Sequence, residues 1–518
     1  MRPREVAARA AVALFLMTLL FTRQIGDLER VSNRYIRQWE SADSLAIIAD
    51  CILLTGLIVG LSLLIDRFVP RAARRLYSGG VVLVLASGAL SVLVHVPHVR
   101  VRHPTLYALA WLMGAAVAAY AAAVPETRLF RLARTACLIM APLPLILFAR
   151  LMLFDSWGVP PEPLRPTGIA ARPGAAPVFF FVFDEWSYQR SVEGGSFRPS
   201  LVNLRDFSRQ AVVFHHALSP GGQTSISLPM LIYSAGDAKA ISAALVDSKG
   251  VDPVYDPSRH ARSTMPSSLF QIAKGEHYAT VLLGFFLPYQ RMLGSQVDRY
   301  RVYPLFPKGH TFVERMRVRA LENLRYWTDP ISLATFRPWY ARVYTAHWKD
   351  INDSLNDDVL QSIGLFAANT FVFVHYPSPH APFIFEPDGT VRHGVEVQWG
   401  KAQNVEDDWM FGTVEDYERN LQRLDNVIGG LVARLKQAGK FDEALVIFTS
   451  DHSWRSDPKP GRSTSDVRHV PLLVKLPHQT TPARVDGEFP TIRLKGLIEA
   501  VFAGRCNRGE LAPCLGSL

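Results

Sequence analysis

The sequence predicts two regions: an N-terminal bundle of five transmembrane helices, and an α/β domain in which a parallel sheet lies between helices as an α/β/α sandwich. Three observations carry this. Length comes first: 518 residues exceed one ordinary domain. Next, the apolar excess (49% apolar residues, mean hydropathy +0.10) is concentrated in the first 155 residues. Last, the remainder carries short β-branched and aromatic runs, two of which flank an amphipathic segment in a strand–helix–strand pattern. The expected boundaries are 1–154 for the transmembrane region, 155–177 for a linker and 178–518 for a catalytic domain.

Five apolar runs fill the first region: Ala7–Phe21, Leu45–Ile65, Gly79–Val96, Thr105–Val124 and Ala136–Leu153. Four approach the ~20 residues that cross a bilayer core as helix. The first is shorter, but "FLMTLLFTRQIGDL" offers no small-x-small cleavage site, so it is expected to be an uncleaved anchor. With the N-terminus inside, ten arginines flank the runs on the cytoplasmic side (Arg2, Arg4, Arg9, Arg67, Arg71, Arg74, Arg75, Arg128, Arg131, Arg134). Six flank them outside (Arg23, Arg30, Arg34, Arg37, Arg100, Arg102). That bias, with five crossings, puts everything after Leu153 on the outer side of the cytoplasmic membrane. Asp50 and Arg150 lie near the outer ends of their runs, where each either snorkels or supports a lipid substrate.

The formal charge of +10 is accounted for by these flanking arginines and by nearby anionic lipid. No zinc-knuckle, RNA-recognition or helix-turn-helix pattern is present, which argues against nucleic acid as a partner. Cys51 and Cys137 fall in apolar runs and read as small apolar residues. Cys506 and Cys514 in "GRCNRGELAPCLGSL" are expected to form one local disulfide in an oxidising compartment, with two free thiols as the alternative. The segment "DSWGVPPEPLRPTGIAARPGAAP" holds six prolines in 23 residues and reads as an extended linker.

In the second region, "PVFFFVF" (177–183), "ATVLLGFF" (279–286), "TFVFVHY" (370–376), "ALVIFTS" (444–450) and "VPLLVKLP" (470–477) are continuous apolar runs. Such runs fit strands buried on both faces. Before the fourth, Leu421, Leu424, Val427, Ile428, Leu431 and Leu435 recur at helical spacing and Gly439 supplies a C-cap. Polar ligand types follow the runs: Asp184 and Glu185 after the first, His375 and His380 at and beyond the third, Asp451 and His452 after the fourth, with His469 just before the fifth. In an open parallel sheet, ligands collect beyond the carboxyl ends of strands. Carboxylates and imidazoles meeting there are the ligand set of a divalent metal, zinc before manganese, magnesium or calcium.

"SPGGQTSISLPMLIYS" (219–234) places Thr224 between Gly-Gly-Gln and a helical stretch. The hydroxyl is either an N-cap or a nucleophile, activated by a metal and by the helix N-terminus.

Taken together and in order, Asp184-Glu185, "TSISLP", "HYPSPHAPF", "TSDHS" and "RHVPLLVKLP" resemble the alkaline phosphatase/sulfatase superfamily. The pattern is most similar to its membrane-anchored phosphoethanolamine transferases and lipoteichoic acid synthases. The resemblance implies an alkaline phosphatase-like fold, Thr224 as nucleophile, and Glu185, Asp451 and His452 as metal ligands, with Asp184 and Thr224 itself in the same shell. It implies that His380 and His469 hold substrate phosphate or act as acid and base. Neither Thr224 nor Ser227 is followed by the sulfatase x-Pro-x-Arg arrangement, so formylglycine chemistry is not expected. The implied activity transfers a phospho-headgroup from a membrane phospholipid donor to an envelope glycan or lipid acceptor. The alternatives are a sulfatase-like or phosphatase-like hydrolase, and a degenerate envelope scaffold.

Overall fold

A computed structural model describes residues 3–29, 38–94, 104–124, 128–153, 175–233, 267–287, 289–328, 337–392, 413–458 and 464–506. Most of the expected linker lies outside the described residues. The chain separates into two compact units. One comprises Met1–Val159 with Pro307–Val343, the other Pro160–Phe306 with Tyr344–Leu518.

In the first unit, helices cover Pro3–Glu29, Ser41–Phe68, Pro70–Val94, Pro104–Ala123, Arg128–Ile139 and Leu143–Met152. Pro3–Thr22 and Ser41–Phe68 are each long and apolar enough to cross a membrane. Phe130–Ile139 and Leu143–Met152, bent by 41°, make a third span if counted together. Two to three spans thus meet the length and composition test among the described residues, against five expected. The fifth run is not one helix: Pro142, lacking an N–H, interrupts it between Ile139 and Leu143. Leu53, Leu57, Leu61 and Leu64 are exposed along the second helix, as a lipid-facing stripe would be, while Asp50 is buried.

One expected boundary shifts. Residues 307–343 do not belong with the sheet domain but with the N-terminal helices. The cause is a charge cluster at the start of helix Ser41–Phe68. Lys308 and Arg315 pair with Glu40 at 2.5 and 2.8 Å, and Arg315 also reaches Asp43 at 3.2 Å. From helix Phe312–Thr328, Arg319 pairs with Glu322 at 2.7 Å and lies over the Trp39 ring. Gln24 donates to Glu322 at 2.8 Å. Asp43, Arg319 and Glu322 are all buried, and charges at such depth persist only when paired.

The second unit is built on an eight-stranded sheet. Its strands are β1 (Val178–Phe183), β4 (Val212–Leu218), β5 (Ala279–Phe285), β6 (Arg299–Tyr303), β7 (Thr370–Tyr376), β8 (Leu445–Ser450), β9 (His469–Lys475) and β10 (Ala483–Pro490). β2 (Val192–Glu193) and β3 (Ser196–Phe197) form a separate antiparallel hairpin. The sheet order is β10-β4-β9-β8-β1-β7-β5-β6. All five apolar runs are strands. The sheet is mixed rather than wholly parallel, because β9 runs antiparallel to both β8 and β4. Every residue of β1, β5, β7 and β8 is buried, as strands covered on both faces require. The capping box of Thr413 and Asp416 starts helix Val414–Gln437, whose Leu421, Leu424, Ile428, Leu431 and Leu435 are buried. Cys506 is disulfide-bonded, whereas Cys514 lies outside the described residues; Cys51 and Cys137 are free.

Phe180 of β1 packs edge-on against Phe373 of β7 at 5.2 Å with no solvent exposure. Phe180→Ala is therefore expected to cost the sheet unit about 3–5 kcal/mol, through lost transfer energy and the cavity left behind. Denaturant unfolding of the full chain in detergent reads this. A loss below about 1 kcal/mol would mean that the site collapses freely.

Candidate metal and nucleophile centre

The register of the central strands assembles this centre. β1 lies between β7 and β8, parallel to both, with Phe183 level with Tyr376 and Ser450. The next residues, Asp184 after β1 and Asp451 after β8, therefore leave the sheet side by side. His375 is the penultimate residue of β7, level with Val182. One ligand atom each of Asp184, His375 and Asp451 lies within 4.8 Å of the others, and all three residues are buried.

β4 is parallel to β10 and antiparallel to β9, so its C-terminal end meets the same edge. The loop after it carries Gly221, where a Cβ would sit 2.6 Å from Ile226 Cγ2. That close approach needs glycine. Helix Thr224–Tyr233 follows, with Ser227 Oγ accepting from Gly221 N at 3.1 Å. Thr224 does not use its hydroxyl as a cap. Its Oγ1 donates to Asp184 Oδ1 at 3.4 Å and lies 3.3 Å from His452 Nε2. His452 Nε2 is in turn 3.6 Å from Asp184 Oδ1 and 3.4 Å from Asp451 Oδ2.

Glu185 occupies the neighbouring position with φ +62°, in the left-handed region that a non-glycine residue enters at a cost. Its Oε1 accepts from Arg455 Nε at 2.8 Å, and its Oε2 is 3.9 Å from His380 Nε2. Arg455 Nη2 is 3.3 Å from the same His380 nitrogen. Tyr289 Oη contacts His375 Nδ1 at 2.9 Å.

Electrostatics follow from these distances. Burial, reinforced by the charges of Asp451 and Glu185, raises the Asp184 carboxyl well above its ordinary range. Burial would raise Glu185 as well, but His380 and Arg455 outweigh it and bring Glu185 down to about 2. Burial pushes the His375 imidazole down to about 4, leaving it neutral at pH 7, the form that ligates metals. His380 is also lowered by burial.

The donor set fits a divalent cation. His375 Nε2 and Asp451 Oδ2 are buried and lack any hydrogen-bond partner. Orphaned buried atoms of this kind are costly unless something binds them. Two carboxylates, a neutral imidazole and a nearby hydroxyl suit zinc or manganese chemistry.

Of the residues singled out in the sequence, Asp184, Thr224, Asp451 and His452 converge, with Glu185 and His380 beside them. His469 is not brought in. It opens β9 at the same sheet edge, level with Leu218, but its Nε2 contacts the His215 carbonyl at 2.8 Å and its ring stacks on Tyr188 at 4.2 Å. The irregular pairing of β4 with β9 between Phe214 and Ala217 accompanies that orientation. Sequence reading noted His375 without giving it a role, and missed Arg455 and Tyr289. Arg455, four residues beyond Asp451, lay within reach of inspection, but Tyr289 belongs to no motif.

A model of the sulfatase family matches residues 177–493. No curated protein matches the chain. Solved structures similar to it include a phosphonate monoester hydrolase of Agrobacterium radiobacter, at 16% identity and TM-score 0.40, covering 66% of this chain and 77% of that one. The C-terminal periplasmic domain of EcEptC from Escherichia coli is similar at 15% identity and TM-score 0.39, covering 67% and 86%. The PsFucS1 sulfatase from Pseudoalteromonas sp. is similar at 14% identity and TM-score 0.40, covering 63% and 67%. The family match spans well over half the chain and takes in every strand of the sheet, so the chain belongs to the sulfatase family and is an enzyme of that superfamily.

Proposed function

We propose that this enzyme is a membrane-anchored phospho-headgroup transferase with Thr224 as its nucleophile, its catalytic unit on the outer side of the cytoplasmic membrane. The observation that carries the reading is the Thr224 hydroxyl at the first position of its helix, within 3.4 Å of both Asp184 and His452 in a buried centre. The apolar helices of the first unit support a lipid donor. The acceptor in this reading is an envelope glycan or lipid. Asp184, His375 and Asp451 would hold the divalent cation, with His452 and Glu185 at its margin.

When bound, the cation supplies Lewis-acid stabilisation of the attacking oxygen and of charge on the phosphoryl oxygens. In the first half-reaction Thr224 Oγ1 attacks phosphorus, and its proton leaves toward Asp184 or His452, the acceptors within reach. The Oγ–P bond forms as the bond from phosphorus to the diacylglycerol oxygen breaks, and that oxygen takes a proton from water, because burial keeps the His380 imidazole neutral. In the second half an acceptor hydroxyl attacks the phosphothreonine and its proton passes to His380; the Oγ–P bond breaks as Thr224 Oγ1 takes back its proton from Asp184 or His452. The Arg455 guanidinium, with Nε on Glu185 and Nη2 beside His380, would pair with a nonbridging oxygen.

The test is intact mass of the purified chain after incubation with phosphatidylethanolamine or phosphatidylglycerol vesicles. Wild type gains the headgroup phosphate and Thr224→Ala gains nothing. The transfer reading fails if no adduct forms with any divalent cation while both proteins cleave an arylsulfate equally.

Arg455→Ala is expected to raise KM for the donor by about tenfold to a hundredfold, since a hydrogen bond to a charged group contributes about 1.5–3 kcal/mol. Arg455→Lys restores part of it, because the point charge survives without the guanidinium fork. Steady-state kinetics decide this. An unchanged KM with a lowered kcat would restrict Arg455 to positioning Glu185.

A further inference from the structure

A second concave site lies away from the centre just described, on the flank where β4 pairs with β10. It is a cavity of about 430 Å³ between the β2–β3 hairpin, helix Val202–Ser208 and these two strands. That volume is within the range of ligand pockets, roughly 300–1,000 Å³. Arg205, Arg209, Arg484, His215, Ser196 and Ser208 supply its polar lining, and no carboxylate lines it. Phe197 and Pro482 add apolar surface. None of the residues of the metal and nucleophile centre takes part.

The three guanidinium groups are differently engaged. Arg209 pairs with Asp206 at 2.9 Å and Arg484 with Asp486 at 2.6 Å, in both cases with side chains more than half exposed. Surface pairs of this kind contribute little and yield readily to a better anion. Arg205 has no carboxylate partner among the described residues. Gly195, at φ +76°, lets the hairpin backbone come against Arg484: a Cβ there would lie 3.2 Å from Nη1. His215 is anchored through Nδ1 to the Tyr188 hydroxyl at 2.7 Å, which fixes its ring at the cavity wall.

We infer that this cavity binds a phosphorylated saccharide. Guanidinium forks match a phosphate group geometrically as well as electrostatically. The remaining lining offers what a sugar uses: a hydroxyl at Ser196, an imidazole at His215, and apolar surface for a pyranose face. A concave cavity between a hairpin and a helix suits a discrete sugar phosphate better than the flat headgroup plane of a bilayer. The site goes beyond the transfer reading and stands without it. If that reading holds, the cavity would grip an anionic glycan through residues that the reaction centre does not use.

The experiment is calorimetric titration of the full chain in detergent with glucose 6-phosphate, against inorganic phosphate, glucose and phosphatidylglycerol vesicles. Saturable binding of glucose 6-phosphate is expected, with at least tenfold weaker binding of glucose and of inorganic phosphate. Arg205→Glu and Arg484→Glu should each weaken the sugar phosphate at least tenfold, while Thr224→Ala leaves it unchanged. Because these arginines are exposed, both variants should keep wild-type circular dichroism and thermal unfolding. The inference is overturned if neither arginine replacement alters binding or if Thr224→Ala abolishes it. It is equally overturned if inorganic phosphate binds as tightly as the sugar phosphate, or if only the vesicles bind.

Discussion

Thr224→Ala is expected to lower phosphodiester turnover by about 10⁴-fold or more, the scale on which removing a covalent nucleophile acts. Position rather than residue type sets this hydroxyl apart. The hydroxyl is buried, begins its helix, and meets Asp184 and His452 instead of a backbone N–H. Were it a cap, replacement by alanine would cost about 0.5–2 kcal/mol of stability and little activity. The two roles therefore diverge in their readouts. Thr224→Ser keeps an oxygen in place and should retain measurable turnover, whereas Thr224→Val keeps the shape without the oxygen and should match alanine. Initial-rate assays, with thermal unfolding as control, separate the cases. An alanine variant holding a tenth of wild-type turnover would remove Thr224 from the chemistry.

Asp451→Asn should abolish cation binding while leaving the cation-free protein as stable as wild type or more so. Oδ1 accepts from His452 N at 2.8 Å and from Glu185 N at 3.3 Å, and an asparagine oxygen keeps both bonds. Oδ2 is the buried atom without a partner, and there an amide replaces a lone pair with donors. The substitution also removes the carboxylate charge that adds to burial in raising Asp184. In wild type, a cation at a hundred times its Kd stabilises the fold by about 2.7 kcal/mol. In the variant that increment should vanish.

The same centre sets a pH dependence. Because the Asp184 carboxyl is raised, it holds its proton above the ordinary carboxylate range and must release it to ligate a cation. Cation affinity should thus climb with pH, by at most about tenfold per unit, until Asp184 ionises unaided. Titrations across pH 5–8 would show the slope. Affinity that fell with rising pH would contradict the assignment.

Much of this centre was legible because chemistry and strand pattern coincide. Asp184 directly follows the apolar run of β1, Asp451 and His452 directly follow β8, and the two strands are parallel neighbours. β4, β6 and β10 escaped notice because "VVFHHAL", "RYRVY" and "ARVDGEFP" mix polar residues into partly exposed strands, which leaves neither a continuous nor a clean alternating signal. His469 misled for a related reason. A histidine beside an apolar run reads the same whether its strand is parallel or antiparallel, yet here the ring is held on β4 by the His215 carbonyl. The assignment of 307–343 to the helical unit was invisible because its partners, Glu40 and Asp43, are about 270 residues earlier in the chain. Pairings at that separation leave no local mark.

The cation site is open to a direct check by anomalous scattering from crystals of the full chain grown with zinc or manganese. A single strong peak is expected at ligand distance, roughly 2.0–2.2 Å, from oxygen atoms of Asp184 and Asp451 and from His375 Nε2, with the Thr224 hydroxyl facing it. A peak at another site, with this centre empty in crystals of active enzyme, would contradict it.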